Sequence, residues 1–259
     1  MKLMMLINIY ALSLAVLIRL GRRLMIVVVG ANDGRFNDPI YEFAMRMAAR
    51  TSMLLIEPNK FLIPYLQANY QSHPNHKIAN CAIGEEGTLT LYAVKPDWID
   101  RYQPAYAEGW PRYRAATGIT SANRAHVAEA LLREGISPDD AIEMLQAPCH
   151  QLSTVLASQG LPAQIDVLQI DAEGYDDAVI HASTIGTTKP KLIYFENYNI
   201  PQSRMESLSI YLSSENYRLY SLGRDSLAVS GRMHPICIAL HGAIAVAQIA
   251  ARLAHGLSR

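Results

Sequence analysis

Cysteine is scarce, charge is balanced and basic runs are missing from this 259-residue chain. The three cysteines, Cys81, Cys149 and Cys237, stand far apart and form no C-x-x-C pair. That argues against a zinc knuckle or a disulfide framework and for a reducing compartment. Lys plus Arg and Asp plus Glu number 23 each. Without surplus base the chain lacks the term that carries affinity for phosphate backbones, so no nucleic-acid partner is expected. Internal repeats are absent. Apolar residues, by contrast, make up 50% of the chain, enough for a sizeable core and too many for general disorder.

Both ends are apolar. Leu3–Ile18 carries no charge and is followed by Arg19, Arg22 and Arg23. A spanning helix wants about 20 apolar residues, so this run falls just short. The expected N-terminal helix, residues 1–24, packs on the domain's own surface, with membrane anchoring as the minor alternative. Were it to span, the arginines would keep the main domain cytoplasmic. Residues 231–259 read as an Ala- and Ile-rich helical extension with Pro235 in its first turn and Gly256 at its end. Packing, homodimerisation and membrane contact are all open to these two segments.

Between the ends, residues 25–230 alternate strand and helix signals. Met25–Val29 is a continuous apolar run, as in a strand buried on both faces. Asp38–Pro39 gives a helix start, with Ile40, Phe43, Ala44, Met47 and Ala48 at helical spacing. Further strands are expected at Met53–Ile56, Lys77–Ile83, Thr88–Val94, Asp166–Ile170 and Leu192–Phe195. Helices are expected at Phe61–Tyr70, from near Leu152 to Gly160, from Tyr175, and at Arg204–Ser214. Ser137–Asp140 is another helix start signal, and Tyr217–Ser221 with Ser226–Ser230 closes the domain as a hairpin around Gly223. The Pro-, Gly- and aromatic-rich stretch at about 95–124 reads as an insertion. Strand, helix, strand in this order implies an α/β, doubly wound, mostly parallel sheet, because parallel neighbours need crossover connections.

Ligands of such sheets bind beyond the carboxyl ends of the strands. There this sequence places Gly30–Gly34 after the first strand, Glu57 after the second, Asp171–Gly174 after the strand at Asp166, and Glu196–Asn197 after the strand at Leu192. The rim thus carries Asp33, Glu57, Asp171, Glu173 and Glu196 with almost no base. Gly30 and Gly34 match only part of the G-x-G-x-x-G fingerprint of NAD sites. A pyrophosphate there would face acids with no compensating cation but Arg35, and like charges close together repel. A sulfonium and an ammonium, as in S-adenosylmethionine, suit an acidic rim, and Glu57 is placed to accept the hydroxyls of a ribose.

Several of these segments are familiar. V-G-A-N-D-G at Val29–Gly34, I-E-P at Ile56–Pro58, N-C-A-I-G at Asn80–Gly84 and I-D-V-L-Q-I-D-A-E-G at Ile165–Gly174 resemble the FkbM-type methyltransferases. The resemblance implies a Rossmann-like sheet of the class I methyltransferase type with a terminal antiparallel hairpin. It also implies S-adenosylmethionine-dependent methylation of a hydroxyl on a sugar, glycan or small metabolite. Carried over by position, Gly30, Ala31, Asn32 and Gly34 form the cofactor loop and Glu57 binds the ribose. Asn80 and Ala82 lie near the adenine, and Asp171 and Glu173 face the methionine end or the acceptor. Val28 stands where the family often has an acid, so Asp33 is assigned to the ammonium. Asp176 stands where a Glu is usual.

A hydroxyl acceptor must lose a proton, and Asp171, Glu173 and Glu196 are the candidate bases. Asp171, Glu196 and Asn197 also resemble the oxygen ligands of catechol-type methyltransferases, which makes Mg²⁺ a minor alternative. In the insertion, Trp98, Tyr102, Trp110, Tyr113 and Asn123 are the candidate acceptor-binding residues, as aromatic faces and polar tips that orient a ring. Competing readings are an NAD-dependent oxidoreductase or epimerase and a non-catalytic membrane-associated binding module.

Overall fold

The protein is described by a computed structural model covering residues 2–20, 23–221 and 223–233, with side chains from Tyr10 onward. Ten strands occur among the described residues: β1 (Leu24–Val29), β2 (Thr51–Ile56), β3 (His76–Ala79), β4 (Ala82–Ile83), β5 (Gly87–Val94), β6 (Ile142–His150), β7 (Val167–Ile170), β8 (Leu192–Glu196), β9 (Tyr217–Ser221) and β10 (Asp225–Ser230). Seven form one sheet in the order β3-β2-β1-β7-β8-β10-β9. The first five of these run parallel, while β10 is antiparallel to both β8 and β9.

This is the doubly wound, mostly parallel sheet with a closing hairpin that the sequence implies. Every residue of β1 is buried because helices cover both faces. On one face Val27, Val29, Leu54, Ile56, Leu168 and Ile170 pack under the helices Leu152–Ser158, Asp176–Ala182 and Gln202–Ser214. On the other, Ile26, Val28, Met53 and Leu55 meet the N-terminal helix and the helices Tyr41–Arg46 and Ile63–Tyr70. From β1 the chain winds outward to β2 and β3, then returns to β7 on the other side. That reversal opens a crevice beyond the carboxyl ends of β1 and β7.

The N-terminal helix spans Lys2–Leu20. Tyr10, Leu14, Leu17 and Ile18, at i, i+4, i+7 and i+8, bury one stripe against the sheet. Tyr10 stacks on Tyr194 at 4.4 Å and donates its hydroxyl to Gln169 Oε1 at 3.2 Å. Among the described residues no helix is long and apolar enough to cross a membrane. The expected C-terminal extension lies outside the described residues beyond Met233, whose side chain is buried in the same cluster as Leu14.

Several local expectations need correction. Lys77–Ile83 is two strands, not one. β3 joins the main sheet, whereas β4 joins β5 and β6 in a separate three-stranded sheet of order β4-β6-β5. The helix starting at Ser137 ends after Pro138–Ala141, and β6 follows at once, pairing along its length with β5. Pro148 within that run hides it, because proline is uncommon inside strands. Asp38 does not cap its helix: Ile40 occupies the cap, and Asp38 Oδ1 instead accepts from the Ile40 N–H at 2.8 Å and from Gln169 Nε2 at 3.1 Å. The connection from β5 to β6, residues 95–141, is helical. It has an apolar cluster of its own built on Tyr102, Ala116, Val127 and Leu131.

Candidate active site

The loop after β1 is shaped by backbone approach. Gly30, at φ +75°, and Ala31 both donate their N–H to Ile56 O at 3.0 Å, and Asp171 N–H donates to Val29 O at 3.0 Å. The ends of β1, β2 and β7 are thereby drawn together. A Cβ on Gly30 would fall 1.9 Å from the Asp171 carbonyl oxygen, so no larger residue fits. Glu57 is buried below the loop, with Oε2 accepting from Asn32 N–H at 2.7 Å and Oε1 from Asn59 N–H at 2.8 Å. Burial pushes its carboxyl up to about 7, against the pull of those two N–H groups and of Arg114.

Two cavities open along the strand ends. The first, about 460 Å³, is lined by Gly30, Asn32 and Glu57 on one side and by Ala82, Ile83, Leu89 and Leu91 of the small sheet on the other. The second, about 620 Å³, is more polar and is lined by Tyr102, Tyr106, Trp110, His126, Glu196, Asn199, Arg224 and Asp225, among others. Asp171, Glu173, Arg114 and Gly118 line both. Of the expected cofactor residues, Gly30, Asn32, Glu57, Ala82 and Asp171 line the first cavity, and Ala31, Asp33, Gly34 and Asn80 do not.

The side chains outside it have identifiable work. Asp33 is buried, its Oδ1 accepting from Arg35 N–H at 3.0 Å and Phe36 N–H at 2.9 Å, its Oδ2 from Tyr113 hydroxyl at 3.0 Å. Its carboxylate is therefore taken up by the loop, not offered to an ammonium. Gly34 fits under Leu66 and Tyr70, and Asn80 Nδ2 donates to Glu57 O at 2.8 Å and Pro58 O at 3.1 Å. Among the expected acceptor residues, Tyr102 and Trp110 line the second cavity. Trp98 lies beneath Arg101 at 4.5 Å, Tyr113 holds Asp33, and Asn123 caps the helix Arg124–Arg133 through Ala125 N–H at 3.0 Å.

The expectation of a rim almost without base is also corrected. Arg114, carried in by the helix Arg112–Gly118, sits at the junction of the cavities, and Arg224 Nη2 lies 3.7 Å from Glu196 Oε1. Asn199 was not anticipated either. Its Nδ2 donates to Glu196 Oε2 at 3.0 Å and to Glu173 Oε2 at 3.4 Å, joining two of the candidate bases. Tyr198, Asn199 and Asp225, which line the second cavity, follow β8 or begin β10, where the sequence offers no motif.

Burial, reinforced by neighbouring acids, raises Asp171 and Glu173 above the ordinary carboxyl range and pushes Glu196 up to about 7. Asp176 is pushed up to about 8 while accepting from Ala172 N–H at 3.3 Å and Glu196 N–H at 3.2 Å, which ties the loops after β7 and β8 together. These shifts have a sign in stability. Between pH 8 and 6.5 the unfolded carboxyls stay ionised, whereas the folded protein takes up protons on Asp176, Glu57 and Glu196. The ligand-free protein should therefore gain stability as pH falls through that window. A net gain of about 2 kcal/mol would raise Tm by roughly 4–8 °C, read in a thermal melt. Below it, buried His73 and half-buried His126, both held below the usual imidazole range by desolvation, oppose the gain.

Asn197, one of the three residues that resemble Mg²⁺ ligands, donates its Nδ2 to Asp225 O at 3.0 Å and Ser226 Oγ at 2.7 Å. Among the described residues no group of three or more His, Cys, Asp or Glu is arranged to hold a metal ion.

The methyltransferase FkbM domain matches residues 29–219, most of the chain and all of this rim but Arg224 and Asp225. The chain belongs to the FkbM methyltransferase family. No curated protein matches it. Solved structures similar to this FkbM methyltransferase include a precorrin-6y C5,15-methyltransferase from Geobacter metallireducens, at 12% identity and TM-score 0.40, covering 85% of this chain and 84% of that one. Aeropyrum pernix fibrillarin, solved with natively bound S-adenosyl-L-methionine, is 8% identical with TM-score 0.38, over 80% of this chain and 66% of that one. M. capricolum TrmK, solved with S-adenosyl-homocysteine, is 9% identical with TM-score 0.39, over 86% and 71%. The family match, not these likenesses, carries the assignment. The FkbM sheet here is the Rossmann-like, class I methyltransferase arrangement.

Proposed function

We propose that this FkbM methyltransferase takes its methyl group from S-adenosylmethionine and delivers it to a hydroxyl of a sugar, glycan or small metabolite. The observation that carries the reading is the pair of cavities, one largely apolar and one polar, meeting at Asp171 and Glu173. The first has the volume of a cofactor cleft, for which roughly 300–1,000 Å³ is usual. Glu57 fits the ribose: each of its oxygens holds one backbone N–H and keeps a lone pair for a ligand hydroxyl. The bound donor supplies a methyl group on a sulfonium sulfur.

The protein's contribution is placement and proton removal. Tyr102, Tyr106 and Trp110 offer faces to an acceptor ring, while Glu196 and Asn199 orient its polar edge. Held beside Glu57 and Asp171, the donor would offer its methyl carbon to the acceptor oxygen and keep the electron pair of the broken carbon–sulfur bond on sulfur. The hydroxyl proton passes to Glu196 or Glu173. A carboxyl near 7, as at Glu196, is matched to that task at neutral pH. Isothermal titration of the full chain tests the reading. Micromolar or tighter binding of S-adenosylhomocysteine is expected, with no heat from NAD⁺. Saturation by NAD⁺ with none by S-adenosylhomocysteine would overturn it.

A further inference from the structure

Arg114 is the buried cation of the rim, only 9% exposed. Its Nε donates to Phe36 O at 3.2 Å, which ties it to the loop after β1. Among the described residues its two terminal amino groups have no hydrogen-bond partner and no carboxylate within ion-pair reach, although Trp110 lies 6.0 Å from the guanidinium carbon. Gly118, one turn along the same helix, makes room for it: a Cβ there would fall 2.5 Å from Nη1. The fork borders both cavities with no protein acceptor filling it, which leaves its N–H groups open to a ligand. The group that matches the fork best is a carboxylate, held by two parallel N–H bonds.

We infer that Arg114 holds the carboxylate of the donor's amino-acid end, with Asp171 facing the adjoining ammonium. The inference rests on the S-adenosylmethionine reading above and gives Asp171 the contact that Asp33, occupied by its own loop, does not make. An α-amino acid is a zwitterion, and this rim sets one base and one acid side by side where the two cavities join. The charge of Arg114 bears on Glu57 on the ribose side and on Asp171 and Glu173 where the cavities join, so it lies among all three carboxyls.

The test is calorimetric, on the full chain, with three ligands: S-adenosylhomocysteine, its decarboxylated analogue S-adenosyl-3-thiopropylamine, and 5′-methylthioadenosine. The wild type should bind S-adenosylhomocysteine at least 30-fold tighter than the decarboxylated analogue. Arg114→Gln should abolish that difference, whereas 5′-methylthioadenosine, touched only through the weakened ionisation of Glu57, should lose no more than a few-fold in affinity. Gly118→Ala, which displaces the guanidinium without removing it, should narrow the same difference. The wild-type comparison stands even if Arg114→Gln folds poorly. Equal affinity of the wild type for the first two ligands would overturn the inference and leave the donor reading intact. So would an Arg114→Gln loss shared equally by all three. A wild type that binds none of the three overturns the donor reading itself.

Discussion

Alanine at Gly30 should lower Tm by roughly 10 °C or more in a thermal melt. Two effects add. The residue sits at φ +75°, where an L side chain costs about 1–2 kcal/mol. The larger effect is steric: the new Cβ would lie 1.9 Å from the Asp171 carbonyl oxygen, which is backbone and cannot swing aside. Relief requires β1 and β7 to separate at their carboxyl ends. That breaks the bond from Asp171 N–H to Val29 O and strains the two bonds that Gly30 and Ala31 donate to Ile56 O. A destabilisation above about 4 kcal/mol is the size reserved for such backbone collisions, and each kcal/mol is worth roughly 2–4 °C at this chain length. Gly135→Ala is the control. Gly135 has a similar φ of +71° but nothing within 4 Å of an added Cβ, so only the conformational penalty remains. Equal effects at the two glycines would show that β1 and β7 are not in this contact.

Gly30 also shows what kind of information the sequence carries. The all-apolar β1, the glycine after it and the acids after β2, β7 and β8 are local signals, because a strand buried on both faces and the turn that ends it are dictated by neighbouring residues. Glu57, Asp171, Glu173 and Glu196 could be placed on the rim for that reason. Whether a rim side chain is free to meet a ligand is not local. Asp33 reads as well as Asp171 in the sequence, yet its carboxylate is filled by Arg35, Phe36 and Tyr113, the last of them 80 residues away. Arg114 was hidden for the same reason. Nothing near it in sequence says that the helix Arg112–Gly118 will fold back over the ends of β1 and β7. Missing that cation made the rim look more acidic than it is. A cation at the junction lowers the electrostatic cost of a pyrophosphate there, so the family match and the paired cavities, not charge alone, support the cofactor reading. The strand β6 was lost to Pro148, a residue whose missing N–H the β5 pairing tolerates.

Glu57→Ala should weaken S-adenosylhomocysteine binding by about 100-fold or more. A hydrogen bond to a charged group is worth about 1.5–3 kcal/mol, and both ribose hydroxyls would lose theirs. The N–H groups of Asn32 and Asn59 would be left without their acceptor as well, so the loop that carries Asn32 loses its anchor. The wild type adds a second signature. Its Glu57 carboxyl titrates at about 7, and the ionised form is the one that accepts two hydroxyls. Affinity should therefore climb as pH rises from 6 to 8, by roughly tenfold, since each pH unit below the pKa removes a factor of ten of the competent form. In the alanine variant that slope should vanish along with the affinity. Calorimetric titrations at pH 6, 7 and 8 on both proteins separate the two effects. An affinity loss with the slope retained would assign the titrating group to another carboxyl of the rim. A variant that binds as tightly as the wild type would remove Glu57 from the cofactor site altogether.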